Sequence, residues 1–276
     1  MLYQTFPLRP EFPDATLTTY VCDYFEPMQL PPRPAVIVCP GGAYTGLANR
    51  ESEPIVRHFL GAHFNVFLLR YSVGENAKDY NPAIDVALAV RYVREHAKEH
   101  HTDPNRIVTC GFSAGGHLAA SAGVFWNLPV IRDAVGVTDG SAPEGINRPN
   151  GMILCYPVIT AGVYANRGSI HRLCGTSSPT EEEKARFSLE LFVDETTPPA
   201  FLWHTFTDTG VNVRNSLLMM DALLEHGIPF EAHIYPQGPH GTALGTKETW
   251  HGSEAQFVPH LSSWADLAVN WIRDII

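Results

Sequence analysis

The sequence RIVTC-GFSAGG, residues 106–116, decides the fold. Five residues of strand character run directly into G-x-S-x-G, and the chain after Ala114 is compatible with a helix. A strand, a tight turn and a helix in this order are the context in which G-x-S-x-G presents a serine above a sheet. Glycines are expected at both shoulders, because side chains there would collide in so tight a turn. The stretch therefore predicts Ser113 as an exposed nucleophile.

Outward from this turn, short apolar runs alternate with stretches of helical periodicity along the whole chain. The predicted strands are residues 35–39, 65–72, 106–110, 151–158, 199–205 and 230–235. The predicted helices are residues 54–63, a helix capped by Asn81, a helix from Ala114, residues 212–226 and residues 261–275. This alternation predicts an α/β fold, with a mostly parallel sheet and helices on both faces. In such sheets ligands bind at the carboxyl ends of the strands.

A catalytic serine needs a general base that is held by a third group, because its hydroxyl is a weak nucleophile. The chain order in this architecture is serine, acid, histidine. Asp208 follows the fifth predicted strand and His240 follows the sixth, so both fall at the same sheet edge as Ser113. Asp194 precedes the fifth strand and Asp221 lies on the next helix, so neither fits the acid position. The predicted catalytic residues are Ser113, Asp208 and His240.

The glycine-rich sequence PGGAY, residues 40–44, follows the first predicted strand. Small residues there let the backbone approach a substrate oxygen, and acyl transfer needs N–H donors for the oxyanion of its intermediate. We expect the N–H groups of Gly42, Ala43 and Ala114 to form this oxyanion hole. Tyr44, beside the same loop, is predicted to contact substrate and restrict the acyl group. Glu51, further along, either orders the loop or is exposed to solvent.

Composition excludes several classes of protein. The chain has 276 residues, 45% of them hydrophobic and 17% charged, which excludes a disordered chain and a coiled coil. The net charge is −10, and Lys and Arg do not cluster, so nucleic acid is not an expected partner. No apolar run reaches the 18 residues of a membrane span, and the N-terminus lacks a secretory pattern. With five cysteines, these features predict a cytoplasmic protein with reduced thiols.

We expect neither a cofactor nor a metal. The glycine-rich motifs that bind nucleotides are absent from the sequence. His96 and His100 have a spacing that could grip a metal on a helix, but no third ligand accompanies them. One domain over residues 1–276 is predicted, since the three catalytic candidates converge from most of its length. Residues 160–197 break the strand rhythm, and form either a partial cap over the site or a solvated insertion. The sequence leaves a homo-oligomer open.

At these motifs the chain resembles the α/β-hydrolase superfamily, and more narrowly the bacterial esterases related to hormone-sensitive lipase and acetylxylan esterase. The resemblance begins near residue 36, continues to the C-terminus, and rests on PGGAY (40–44), RYSVG (70–74), DPNRIVTCGFSAGGHLAA (103–120), PPAFLWHTFTD (198–208) and YPQGPHG (235–241). It implies an α/β-hydrolase fold with a small or partial cap. It also implies hydrolysis of small carboxylic esters, often acetyl esters of small alcohols or sugars. The family's catalytic triad and oxyanion donors fall on the residues already named.

Two departures narrow this expectation. Lipase-like members carry HGGG where this chain has PGGA, which keeps the backbone donors and changes the support of the loop. Relatives also carry a fuller cap than the short N-terminal arm could build, so an esterase for short acyl groups is favoured over a long-chain lipase. Two alternatives stay open. A peptidase of the prolyl-oligopeptidase kind usually carries a large N-terminal domain, and a non-catalytic ligand receptor usually lacks a member of the triad.

Overall fold

Eight strands form one sheet in the computed structural model, which describes residues 1–250 and 252–276. They are β1 (Leu2–Pro7), β2 (Thr16–Val21), β3 (Arg33–Cys39), β4 (Asn65–Arg70), β5 (Thr102–Phe112), β6 (Gly151–Cys155), β7 (Ala200–Thr205) and β8 (Phe230–Tyr235). Their order across the sheet is β1-β2-β4-β3-β5-β6-β7-β8. The six strands from β3 to β8 pair in parallel, and β1 and β2 join the edge antiparallel. All six strands predicted from the sequence are present.

Eight α-helices cover the two faces of the sheet in the described part of the chain. They are α1 (Glu53–Gly61), α2 (Asn81–Glu95), α3 (Ala114–Val124), α4 (Pro129–Ala134), α5 (Arg167–Cys174), α6 (Glu181–Ala185), α7 (Arg214–Glu225) and α8 (Ser263–Asp274). Helices α1 and α8 bury apolar side chains on one face, and α2, α3 and α7 do so on the other. Successive strand residues point to opposite faces, and residues 35–39 of β3 are all apolar and completely buried because helices cover both faces.

Two predictions about local structure need correction. The N-terminal arm contains two strands, β1 and β2, which the sequence pattern did not predict. The helix expected to follow an Asn81 cap instead begins at Asn81, with Tyr80 as its N-cap. The Asn81 side chain is engaged elsewhere, since its Nδ2 donates to the Asn76 carbonyl and its Oδ1 accepts from Arg9. Its hydrogen-bonding capacity therefore serves tertiary contacts, not the helix end.

Residues 160–197 contain α5, α6 and a short 3₁₀ turn, Leu189–Phe192. The segment is tied to the body of the protein, because the Leu189 N–H donates to the Ile159 carbonyl and the Phe187 carbonyl accepts from His117 Nε2. Its residues line one side of a cleft at Ser113 and of a groove next to that cleft. This small insertion lies at the carboxyl ends of the strands, where ligand sites of such sheets are found.

Candidate active site

Ser113 stands at the turn between β5 and α3, in a strained backbone conformation. Its φ is 56° and its ψ is −118°, which a residue with a side chain seldom adopts. The strain is held by hydrogen bonds on both sides, since the Ser113 N–H donates to the Cys155 carbonyl and its own carbonyl accepts from Val158. Strained residues of this kind persist only where the surroundings over-determine them, and they cluster at functional sites.

The glycines beside Ser113 are required by close packing of backbone. A Cβ on Gly111 would lie 1.9 Å from the carbonyl oxygen of Gly115. A Cβ on Gly115 would lie 2.1 Å from the Cys39 oxygen and 2.4 Å from the Pro40 oxygen. The first contact closes the turn, and the second brings α3 against the end of β3. The glycine pattern therefore sets the serine against the PGGAY loop.

The structure brings Ser113, Asp208 and His240 together. His240 Nε2 lies 2.7 Å from Ser113 Oγ, and His240 Nδ1 lies 2.7 Å from Asp208 Oδ2. With the proton on Nδ1, the ring donates to the carboxylate and its Nε2 accepts from the serine hydroxyl. The three residues come from loops at the carboxyl ends of β5, β7 and β8. This arrangement can move a proton from Ser113 to His240 while Asp208 stabilises the resulting imidazolium.

Asp208 is a buried carboxylate with four hydrogen-bonding or ionic contacts. Its Oδ1 accepts from the N–H groups of Gly210 and Val211, at 2.8 and 2.9 Å. Its Oδ2 faces His240 and also lies 3.3 Å from His204 Nε2. Burial acts to raise the pKa of Asp208, but the hydrogen bonds from His204, His240 and Val211 outweigh it and hold the pKa well below its usual value. The carboxylate is therefore ionised wherever the protein is folded near neutrality.

Three backbone N–H groups are available beside Ser113. Those of Gly42, Ala43 and Ala114 donate no hydrogen bond to any of residues 1–250 and 252–276. Gly42 and Ala43 have φ values of 139° and 54°, so the loop turns sharply after β3. Ala114 is the first residue of α3, where N–H groups lack partners within the helix. Gly42, Ala43 and Ser113 line the same cleft.

Tyr44 does not lie in that cleft, which corrects the prediction that it contacts substrate. Its side chain is 1% exposed, and its hydroxyl donates to Nδ1 of His117 over 2.8 Å. His117 Nε2 in turn donates to the Phe187 carbonyl, at 3.0 Å. Tyr44 has a φ of 57° after the φ of 54° at Ala43, and these two left-handed residues turn the ring inward. Tyr44 therefore braces the loop from beneath.

Glu51 is buried and hydrogen-bonded to the loop. Of the two predicted alternatives, ordering the loop and exposure to solvent, the structure shows the first. Its Oε2 accepts from the Gly41 N–H at 2.7 Å, and its Oε1 accepts from the Tyr156 hydroxyl at 2.8 Å. The sequence pattern did not single out Arg50, which lines the cleft and donates through Nε to the Gly241 carbonyl at 2.7 Å. The feature that could have pointed to Arg50 is its position beside Glu51, as two adjacent charged residues in the short loop between the glycines and α1.

The cleft at Ser113 has a volume of about 470 Å³. Its wall opposite the PGGAY loop includes Asn166, a second residue that the sequence pattern did not single out. Asn166 caps α5 and donates through Nδ2 to the Gly210 carbonyl, so it joins the insertion to the acid loop. A second groove, of about 740 Å³, adjoins the cleft at Thr45. It is lined by Thr45, Gly74, Glu75, Asn76, Lys78, Gly168, His171, Arg172, Gly175, Thr176 and Ser177.

The remaining features to consider are groups of metal ligands and helices that could cross a membrane. Among them no group of three or more His, Cys, Asp or Glu side chains could hold a metal ion. His96 stacks on Tyr92 and on His100 where α2 ends, and His96 Nδ1 lies 2.9 Å from the Tyr92 carbonyl oxygen. No helix within residues 1–250 and 252–276 has the length and apolar character needed to cross a membrane.

Comparison with known proteins identifies the family of the chain. The family model BD-FAE matches residues 23–223, which include Ser113 and Asp208. The chain belongs to the BD-FAE family. This BD-FAE member is 36% identical over 228 residues to endo-1,4-beta-xylanase B of Butyrivibrio fibrisolvens, covering 80% of the chain and 35% of that protein. It is 28% identical over 235 residues to an acetylxylan esterase of Xylanibacter ruminicola, covering 83% of the chain and 45% of that protein. The chain thus spans between a third and a half of these relatives.

Solved structures align along nearly the whole BD-FAE chain. An acetyl ester-xyloside bifunctional hydrolase from Caldicellulosiruptor lactoaceticus has a TM-score of 0.83 and 34% identity, covering 99% of this chain and 96% of that one. A carboxylesterase from Lactobacillus plantarum has a TM-score of 0.83 and 26% identity, covering 99% and 98%. The α/β-hydrolase fold predicted from the sequence is confirmed. Ester hydrolysis is named for three of these four proteins to which the chain is similar.

Proposed function

We propose that the protein is a serine carboxylesterase that works through Ser113, His240 and Asp208. The observation that carries the proposal is the pair of 2.7 Å hydrogen bonds that links the serine hydroxyl, the imidazole and the buried carboxylate. Ser113 Oγ attacks the ester carbonyl and gives its proton to His240 Nε2. The resulting oxyanion takes hydrogen bonds from the N–H groups of Gly42, Ala43 and Ala114.

The intermediate collapses as His240 returns its proton to the departing alcohol, leaving an acyl group on Ser113. A water molecule then attacks the acyl carbonyl while His240 takes a proton from it. The second oxyanion collapses, the proton goes back to Ser113 Oγ, and the carboxylic acid leaves. In each half-reaction the imidazole takes up one proton and gives one away, so the enzyme ends in its starting state. Asp208 stays ionised throughout, and holds the tautomer with Nδ1 protonated.

The substrate that fits best is a short-acyl ester, such as an acetyl ester, of a small alcohol or sugar. The cleft at Ser113 is small and its apolar wall consists of Ala43, Leu47 and Ala48. The adjoining groove is lined by glycines and by polar or charged side chains alone. Hydroxyl-rich groups can exchange hydrogen bonds with such a surface, whereas a long acyl chain would strip water from it without compensation. The relatives named for acetylxylan and acetyl ester hydrolysis favour the same substrate class.

Replacing Ser113 tests the proposal. Ser113→Ala is expected to lower kcat for 4-nitrophenyl acetate by on the order of 10⁶, because the residue carries the covalent step. Ser121→Ala is the matched control, since Ser121 lies buried on α3, the helix that follows Ser113, and its hydroxyl donates only to the Leu118 carbonyl. Thermal unfolding of both variants checks that they fold. Wild-type turnover in Ser113→Ala would contradict the assignment.

Substrate length and class are tested separately. With 4-nitrophenyl esters from C2 to C12, kcat/KM is expected to be highest for the shortest chains. An acetylated xylo-oligosaccharide should be hydrolysed, while an aminoacyl amide of the prolyl-oligopeptidase type should not. A fluorophosphonate probe should label the wild type at Ser113. Absence of label on folded protein would favour the alternative of a ligand receptor, and preference for the amide would favour a peptidase.

A further inference from the structure

Glu51 is a charged side chain that the proposed mechanism does not use. It lies at the end of a 3₁₀ turn, Asn49–Glu51, between the PGGAY loop and α1, and is only 1% exposed. Burying a carboxylate is costly unless hydrogen bonds replace the lost water. Both of its oxygens have such bonds, and each bond leads to a different part of the candidate active site.

One oxygen fixes the oxyanion loop, residues 40–44. Oε2 accepts from the Gly41 N–H at 2.7 Å, and the Gly41 carbonyl accepts from the Ala48 N–H at 2.9 Å. The peptide that follows Gly41 carries the N–H of Gly42, and a peptide is planar. Holding Gly41 on both sides therefore sets the direction of the Gly42 N–H. Glu51 is also packed against this position, because a Cβ on Gly41 would lie 2.7 Å from Oε2.

The other oxygen reaches the histidine loop, residues 236–243, through Tyr156. Oε1 accepts from the Tyr156 hydroxyl, whose oxygen accepts from the Ala243 N–H at 3.0 Å. The Tyr156 ring meets His240 edge-on, with centroids 5.1 Å apart. Burial, together with the negative charge of Glu51, raises the pKa of Tyr156 well above its usual value, so its hydroxyl stays a donor. The neighbouring Arg50 binds the Gly241 carbonyl in the same loop.

We propose that Glu51 is a positioning residue that holds the oxyanion loop and the histidine loop in register across the cleft. It acts through the Gly41 N–H and the Tyr156 hydroxyl and not on substrate. The role rests on the proposed function, because it presumes that the two loops act together on an ester. No other carboxylate in the described part of the chain joins these two loops.

The test compares an ester with its thionoester, in which sulfur replaces the carbonyl oxygen. Sulfur accepts hydrogen bonds weakly, so the thionoester gains little from an oxyanion hole. Glu51→Ala is expected to lower kcat for the oxoester by about 10²–10³, the usual cost of one lost donor. Its ratio of oxoester to thionoester kcat/KM should fall at least about tenfold, while KM changes little. Glu51→Gln, which keeps one acceptor oxygen, should fall between Glu51→Ala and the wild type.

Two further variants separate positioning from general damage. Tyr156→Phe removes the arm toward His240 and keeps the bond to Gly41, so it should slow both esters alike and leave the ratio unchanged. Asp85→Asn removes another buried carboxylate, one that accepts from Arg9 and the Ser72 N–H, and should lower stability without changing the ratio. An unchanged ratio in folded Glu51→Ala or Glu51→Gln would overturn the positioning role alone. Wild-type protein without Ser113-dependent hydrolysis would overturn the proposed function as well.

Discussion

The three residues of the candidate triad, Ser113, Asp208 and His240, each follow a strand of the parallel sheet. Parallel strands bring such loops to one edge, so their place after a strand is what predicts these residues from the sequence. Tyr44 was misassigned although it follows two predicted oxyanion donors. The direction of its ring depends on left-handed φ values at Ala43 and at Tyr44 itself, which a sequence pattern does not reveal.

We expect catalysis to depend on Asp208, the buried carboxylate that accepts a hydrogen bond from His240. Asp208→Asn would present an amide to Nδ1 and favour the wrong imidazole tautomer, so kcat is expected to fall by on the order of 10⁴ at neutral pH. Asp221→Asn, which changes an exposed carboxylate on α7, is the control and should keep wild-type kcat. The measurement is hydrolysis of 4-nitrophenyl acetate. Equal losses in the two variants would contradict the choice of Asp208 as the acid.

His117 predicts a dependence of stability on pH. Burial lowers its pKa from 6.5 to about 4, so the folded protein holds it neutral while the unfolded chain takes up a proton near pH 6.5. Its contribution is therefore fully present above pH 6.5 and is lost as the pH falls toward 4. At pH 4 the free energy of unfolding is therefore expected to be lower by about 3 kcal/mol, because each unit of difference between the folded and unfolded pKa is worth about 1.36 kcal/mol.

Urea unfolding at pH 7.5 and pH 4 measures this effect. His117→Gln keeps a donor and an acceptor but does not titrate, so its free energy of unfolding should change less between the two pH values, by about 3 kcal/mol. His226→Gln, at an exposed position after α7, is the control and should follow the wild type. The same pH dependence in wild type and His117→Gln would rule out His117 as the cause.

At the scale of elements, the strands of the parallel sheet could be predicted better than the antiparallel strands β1 and β2. Residues 35–39 form an unbroken apolar run, which is typical of a strand covered on both faces. Strands β1 and β2 carry threonines in their place, and Thr19 is nevertheless fully buried. Its hydroxyl accepts from the Gln4 N–H, and Thr18 bonds Thr5 across the pair. Because a cross-strand partner makes burial of these hydroxyls tolerable, the sequence alone could not distinguish the strands from an exposed arm.

The approach of α3 to β3 gives an element-scale prediction. Ala normally favours a helix over Gly by about 1 kcal/mol. At Gly115 the added Cβ would lie 2.1 Å from a backbone oxygen that no rotamer change can move. Gly115→Ala is therefore expected to destabilise the protein by about 1–3 kcal/mol or more, and to lower activity by displacing the turn that carries Ser113.

Gly61→Ala, near the end of α1, is the matched substitution. No heavy atom outside the adjacent backbone of α1 and the two neighbouring residues lies within 4 Å of the added Cβ, so the variant should be as stable as the wild type or up to about 1 kcal/mol more stable. Chemical unfolding of both variants supplies the comparison. A stabilising effect of Gly115→Ala would mean that α3 can move away from β3, contrary to the packing described above.

On the scale of the whole molecule, a buried ion pair connects the loop between the two N-terminal strands to helix α2. Arg9, in the turn between β1 and β2, places Nη2 2.8 Å from Oδ1 of Asp85 on α2. The other oxygen of Asp85 accepts from the Ser72 N–H, just after β4. Strands β1 and β2, helix α2 and the end of β4 thus meet at one carboxylate. This link joins residues distant in sequence, so no local pattern could have predicted it.

Removing one partner of this pair should be costly, because the other charge is left buried without compensation. Arg9→Met is expected to lower the free energy of unfolding by about 3–5 kcal/mol. Lys184→Met, which breaks an ion pair with the exposed Glu181, should cost no more than about 1 kcal/mol. Combining Arg9→Met with Asp85→Leu should recover much of the loss, since two apolar side chains then pack where two charges stood. Urea unfolding of the four proteins at pH 7 measures these differences. If Arg9→Met cost no more than Lys184→Met, the N-terminal strands would be held by their backbone pairing and apolar contacts alone.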